Sequence, residues 1–163
     1  MLVGLPDNAI KESHERIVSA IQFCGMKFPH QQVIINMAPA DIRKEGAAYD
    51  LPLAIGILAA SGAILDDVLK DFIIMGELSL DGTLHPIKGI LPIAINAKEE
   101  GFKGLIIPLE NAKEAAVVDG LEIYGANCLK EVIDFLNKKV NIDRTIIDTK
   151  KEFFEQLNNF EMD

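Results

Sequence analysis

Gly76-Glu77-Leu78-Ser79-Leu80-Asp81-Gly82-Thr83-Leu84-His85-Pro86-Ile87-Lys88-Gly89-Ile90 decides how the chain is read. Asp81-Gly82 between two short alternating runs predicts a two-residue hairpin turn, with the strand approach beginning near Phe72. After it, Gly89 to Glu100 reads as a helix ending at Gly101, Gly104 to Pro108 as a short buried strand, and Asn111 to Val118 as a short helix. Leu121 to Tyr124 reads as a strand and Leu129 to Lys138 as an amphipathic helix. Upstream, Pro6 to Cys24 spaces Ile10, Ile17, Ile21 and Cys24 for one helical face, with Asp7 as cap and Gly25 as stop. Val33 to Met37, between Pro29 and Pro39, reads as a strand. Asp50 to Gly62 is apolar on all sides and reads as the central buried helix, with Asp50 as its cap, Pro52 in its first turn and Gly62 as its stop. The alternation is that of an α/β (α+β) domain: a mixed sheet with a hairpin and packed helices.

The 163 residues amount to about one domain, large enough to bury a core without disulfides. Net charge is −9, Trp is absent and Tyr occurs twice, so a general basic or base-stacking face for nucleic acid is not expected. Cys24 and Cys128 lie 104 positions apart without C-x-x-C spacing and read as reduced thiols of a cytoplasmic protein. Leu51 to Ala60 is the longest apolar run and is far short of the ~20 residues of a membrane span. No Gly-rich phosphate loop is present, neither G-x-x-x-x-G-K-[ST] nor G-x-G-x-x-G. His14, His30 and His85 are scattered and the pairs Asp66-Asp67 and Glu99-Glu100 sit at helix ends, so no metal cluster is expected. Beyond Val140 the chain turns acidic and carries Phe153, Phe154, Leu157 and Phe160 at helical spacing. Residues 1–139 are therefore expected as the domain and 140–163 as a linker with a short amphipathic helix.

The order of Lys44-Glu45-Gly46, the Gly76 to Gly82 stretch, Pro86-Ile87-Lys88-Gly89 and Ile106 to Asn111 resembles the peptidase domain of Lon. That resemblance implies a serine after the first motif as nucleophile and a lysine after the P-I-x-G turn as its base. Here those positions are Ala48 and Leu91, so neither half of the dyad is present.

A second resemblance is carried by Val3-Gly4-Leu5-Pro6-Asp7, Lys11-Glu12-Ser13, Ala38-Pro39-Ala40-Asp41, Lys44-Glu45-Gly46, Tyr49-Asp50-Leu51-Pro52 and the Gly76 to Gly82 stretch. Together they are similar to the N-terminal domain of magnesium-chelatase-related AAA+ proteins of the ComM/YifB family. The resemblance implies the fold shared with Lon peptidase C-terminal domains, placed ahead of an ATPase module and lacking here the family's first strand or strands. It also implies a non-catalytic accessory or interaction domain of a hexameric motor linked to DNA processing and competence. ATP and magnesium are then expected only in the absent ATPase module, with no cofactor, metal or porphyrin site in this chain. The implied partners are the chain's own ATPase module, neighbouring subunits and DNA through the full protein, with no membrane. The candidate interaction face comprises Asp41, Lys44, Glu45, Gly46, Asp50 and Lys88. The competing readings are a Lon-like peptidase with a relocated nucleophile, Ser61 or Ser79, and a nucleic-acid-binding module.

Overall fold

The computed structural model describes residues 2–3, 8–28, 33–34 and 47–147. The elements in chain order are β1 (Leu2–Val3), α1 (Asn8–Phe23), β2 (Val33–Ile34), α2 (Asp50–Ala60) and β3 (Phe72–Ile74). They continue as β4 (Glu77–Leu78), β5 (Leu84–His85), α3 (Ile90–Glu99), β6 (Gly104–Pro108), α4 (Leu109–Ala115), β7 (Glu122–Ala126) and α5 (Leu129–Leu136). The expected cap Asp7, the rest of the Val33 to Met37 strand and the C-terminal amphipathic segment lie outside the described residues.

β6 is the middle of a three-stranded parallel sheet of order β3-β6-β7. Successive side chains on a strand face opposite ways. Ile106 accordingly joins the core built with α1, α2 and α5, while Leu105 and Ile107 join the core built with α3 and α4. All five β6 residues are buried, as expected of a parallel strand covered on both faces. The other pairings are β1 with β2, parallel, and β4 with β5, antiparallel.

α2 lies centrally, as its composition predicts: Leu51, Leu53, Ala54, Ile55, Ile57 and Leu58 are all buried. Each such Leu or Ile contributes roughly 1.5–3 kcal/mol of transfer free energy. The helix stops where Gly62 takes φ +83. There the Gly62 N–H donates to Ala59 O and the Ala63 N–H to Leu58 O, the reciprocal bonds of a Schellman ending.

Three expectations are corrected. Phe72–Ile74 is no arm of the hairpin; it pairs in parallel with Gly104–Ile106, 32 residues on. β3 ends at Ile74, and at Gly76 the N–H turns to Ala48 O, 2.9 Å away, before the chain enters β4. The hairpin loop has three residues, Leu80-Asp81-Gly82, because Ser79 N–H donates to Thr83 O at 3.0 Å and Gly82 N–H to Ser79 O at 2.9 Å. Gly82, at φ +85, supplies the left-handed residue that a three-residue loop of this kind requires. Finally, α4 starts at Leu109, directly after Pro108, and not at Asn111.

Past residue 139, Arg144 and Thr145 lie against the sheet. Arg144 forms an antiparallel bridge with Tyr124, Thr145 N–H donates to Ile123 O at 2.7 Å, and the Arg144 guanidinium donates to Leu121 O at 3.1 Å. This strap covers the outer edge of β7 and makes the sheet mixed. Tyr124 stacks obliquely between Phe72 and Phe135 on the same side, at 5.8 and 5.0 Å between ring centres. Among the described residues no helix is long and apolar enough to cross a membrane.

Candidate functional site

Three of the sequence motifs converge on one carboxylate. Asp50 is fully buried, and four donors surround it. Ser13 Oγ donates to Oδ1 at 2.6 Å, Arg16 Nε to Oδ2 at 2.8 Å, Arg16 Nη2 to Oδ1 at 3.2 Å and the Leu78 N–H to Oδ2 at 3.1 Å. The Lys11-Glu12-Ser13 motif supplies the hydroxyl, the Tyr49-Asp50 motif the carboxylate and the Gly76 to Gly82 motif the amide. A buried charge must be paired and its lone pairs satisfied, which this arrangement does. The hydrogen bond to Asp50 also raises the pKa of Arg16, with burial opposing it. Asp50 does not cap α2. Tyr49 precedes the helix without any side-chain cap, and the Leu51 N–H is satisfied by Gly76 O at 3.0 Å.

Ala48, where the resemblance to Lon puts the serine, sits beside this corner. Ala48 lies in a 3₁₀ turn, Ala47–Tyr49, and its carbonyl accepts from Gly76 N–H at 2.9 Å. Ala48 and Ile87 each pack against the core built with α3 and α4, where Met75 and Ile90 are buried. The structure thus places Ala48 and the Pro86-Ile87-Lys88-Gly89 turn at one apolar cluster. Leu91 follows in the first turn of α3, half-buried. With a methyl at one position and an isobutyl group at the other, neither supplies a nucleophile or a base.

The turn itself is gripped by a residue that the sequence reading passed over as part of a motif. Asn111 is 5% exposed. Its Oδ1 accepts from the Ile87 N–H and its Nδ2 donates to the Ile87 O, both at 2.9 Å. The side-chain amide mimics a strand partner for one peptide unit, and Lys88 is left exposed beside it. Only the quoted motif Ile106 to Asn111 hinted at this, because the partner is 24 positions away.

Of the candidate face, Asp41, Lys44, Glu45 and Gly46 lie outside the described residues. Asp50 is committed to the buried clamp and Lys88 stands in solvent. The two alternative nucleophiles are committed elsewhere. Ser61 Oγ donates to Leu58 O at 2.9 Å at the end of α2. Ser79 Oγ donates to Asp81 Oδ1 at 2.9 Å, so its side-chain neighbour is an acid with no lysine in the pair. Among the described residues no group of three or more His, Cys, Asp or Glu side chains is placed to hold a metal.

Such a fold, with covered parallel strands and a hairpin clamped to a buried carboxylate, defines an α/β (α+β) domain. The chain belongs to the family described as subunit ChlI of Mg-chelatase, whose sequence profile matches residues 1–111. It is similar to competence protein ComM of Haemophilus influenzae, 43% identical over 136 residues, which are 83% of this chain and 26% of that one. It is similar also to protein YifB of Escherichia coli K12, 38% identical over 143 residues, covering 88% of this chain and 28% of that one. Lon protease 2 of Bacillus subtilis is 34% identical over 126 residues, 76% of this chain and 22% of the protease. The chain thus spans about a quarter of the length of these relatives.

Proposed function

We propose that this chain is a non-catalytic accessory domain of a magnesium-chelatase-related AAA+ ATPase, serving to contact the motor, its neighbouring subunits or the DNA that the motor processes. The observation that supports the reading is the side-chain chemistry at the two positions where the resemblance to Lon puts a hydroxyl and an amine: Ala48, packed against the core built with α3 and α4, and Leu91, in the first turn of α3. The link to DNA rests on the name of competence protein ComM, one of the similar proteins. ATP and magnesium belong in this reading to an ATPase module outside the chain, in the cytoplasm, and the chain binds neither. The exposed Lys88 turn, with the Asp41 to Gly46 loop, is the proposed contact face.

The test uses the full-length protein. ATP hydrolysis is measured with and without single-stranded DNA for the wild type and for Lys88→Glu. A change in rate or in DNA stimulation supports the contact face, and unchanged kinetics remove Lys88 from it. A parallel incubation with a labelled unfolded protein addresses catalysis. Steady cleavage that Ser61→Ala or Ser79→Ala abolishes overturns the non-catalytic reading.

A further inference from the structure

Two cysteines 104 positions apart in the chain are both placed at one turn, the hairpin tip. Cys24 closes α1, its N–H donating to Ala20 O at 3.1 Å. Its Sγ lies 3.7 Å from the point where a Cβ on Gly82 would stand, and Leu129 Cβ lies 3.7 Å from that same point. Cys128, the residue before Leu129, forms an antiparallel bridge with Thr83, the residue after Gly82. The Leu129 N–H donates to Gly82 O at 2.8 Å, which fixes the start of α5 against the hairpin tip. The tip therefore holds the end of α1 and the beginning of α5 together, with one cysteine on each.

Both cysteines are free and half-buried. Cys128 lines an open groove of about 610 Å³ with Leu109, Asn127 and Ile142, and Cys24 lines a smaller hollow of about 210 Å³. Lys130 and Asp134 border both spaces, joined to each other at 2.8 Å. A small polar oxidant can enter from the groove side without unfolding the domain.

We propose that Cys24 and Cys128 are a peroxide-responsive dithiol that closes to an intramolecular disulfide between the end of α1 and the start of α5. The chemistry needs only a hydroperoxide as oxidant. The Cys128 thiolate attacks one peroxide oxygen, the O–O bond breaks, and hydrogen peroxide leaves hydroxide and a Cys128 sulfenic acid. The Cys24 thiol then attacks that sulfur, the S–O bond breaks and water departs, its proton coming from the thiol. Two sulfurs are oxidised by one electron each and the peroxide is reduced by two. The order follows from the surroundings. Cys128 lines the larger, open groove from which peroxide enters, and burial pushes the Cys24 thiol up, with nearby Cys128 pushing it further against the pull of Lys130, so Cys24 is the resolving thiol.

The test is to treat the reduced 163-residue chain with hydrogen peroxide, alkylate with iodoacetamide and map the peptides by mass. The expected product is a monomer lighter by two hydrogens, with one crosslinked pair of peptides carrying both cysteines and no alkylation at either. Closing so long a loop raises the thermal midpoint by roughly 10 °C. Cys24→Ser accumulates a dimedone-reactive sulfenic acid on Cys128, and Cys128→Ser leaves Cys24 alkylatable over the same time. The same treatment in urea, where the hairpin no longer aligns the thiols, slows the crosslink many-fold. Alkylation of both cysteines after peroxide, disulfides formed only between chains, or equal rates in urea and in buffer each overturn the proposal.

Discussion

The corner around Asp50 and the turn around Lys88 are both held by a buried polar side chain reaching across the fold, and the two side chains differ in kind. Asp50 is an anion that only accepts, and it gathers donors from α1 and β4. Asn111 is neutral, donates and accepts once each, and grips a single peptide unit at Ile87. The ionic clamp ties three segments into one corner and leaves its own charge out of reach of any partner. The amide clamp fixes a backbone and leaves the neighbouring Lys88 ammonium in water. The proposed contact role would use both arrangements: a corner that holds its shape, and a turn that presents a charge.

Removing the ionic clamp is the strongest way to break that contrast. Asp50→Ala leaves Arg16 and Ser13 without their acceptor and strands the Leu78 N–H, at a cost of about 3–5 kcal/mol by analogy with other broken buried pairs. Arg16 is 24% exposed and can turn toward solvent, which favours the lower end. A double change with Arg16→Met should cost less than the sum of the single changes, as read by urea midpoints, because the two groups share one interaction. Additive costs would mean that the pair acts independently. Asn111→Ala comes next, at about 1–3 kcal/mol for leaving the Ile87 N–H and C=O unpaired. Its local signature is faster hydrogen exchange at the Ile87 amide with little change at Leu78, whereas Asp50→Ala should show the reverse.

The same contrast explains what was legible in the sequence. α2 was readable because everything that defines it is local: Pro52 in its first turn, an apolar run, and Gly62 at its end. Asp50 reads as a cap, since a short acid at a helix start normally is one. Its partners Ser13 and Arg16 lie 37 and 34 positions away and leave no local mark. Asp-Gly announced a turn but not its length, which depends on the Leu78-Leu84 register. Phe72–Ile74 looked like a hairpin arm because strand pattern carries no information about which strand it will meet. The strap at Arg144 and Thr145 was hidden for a similar reason, its partners being the edge atoms of β7. The resemblance to Lon points to Ala48 and Leu91 through motif spacing alone. That Ala48 and Ile87 pack against one core leaves no local mark in the sequence.

Lys88→Glu sharpens the comparison from the other side. An exposed side chain away from caps and cores should move stability by no more than about 0.5 kcal/mol. A larger loss by thermal denaturation would show that Lys88 supports the fold and is not simply presented by it. Any effect on ATP hydrolysis by the full-length protein would then need to be separated from unfolding.

The smallest effect belongs to the hairpin tip, whose acid is exposed where Asp50 is buried. Asp81 accepts from the Thr83 N–H at 3.0 Å and from Ser79 Oγ at 2.9 Å, and these bonds, the Thr83 amide first, hold its carboxyl below the usual value of 3.8. A carboxylate whose pKa is lowered by folding adds stability above its unfolded pKa and loses it as pH falls through the folded one. Asp81→Ala should therefore be slightly less stable than wild type at pH 7, and the gap should close below about pH 4. Asp81→Asn keeps an acceptor oxygen without a charge, so its offset from wild type should vary with pH in the same window while its offset from Asp81→Ala stays flat. Urea midpoints for the three proteins between pH 7 and about pH 3 check this. A wild-type to alanine gap that persists unchanged to the acid end would mean that the turn is held by Gly82 and the backbone bonds, with the charge on Asp81 contributing nothing.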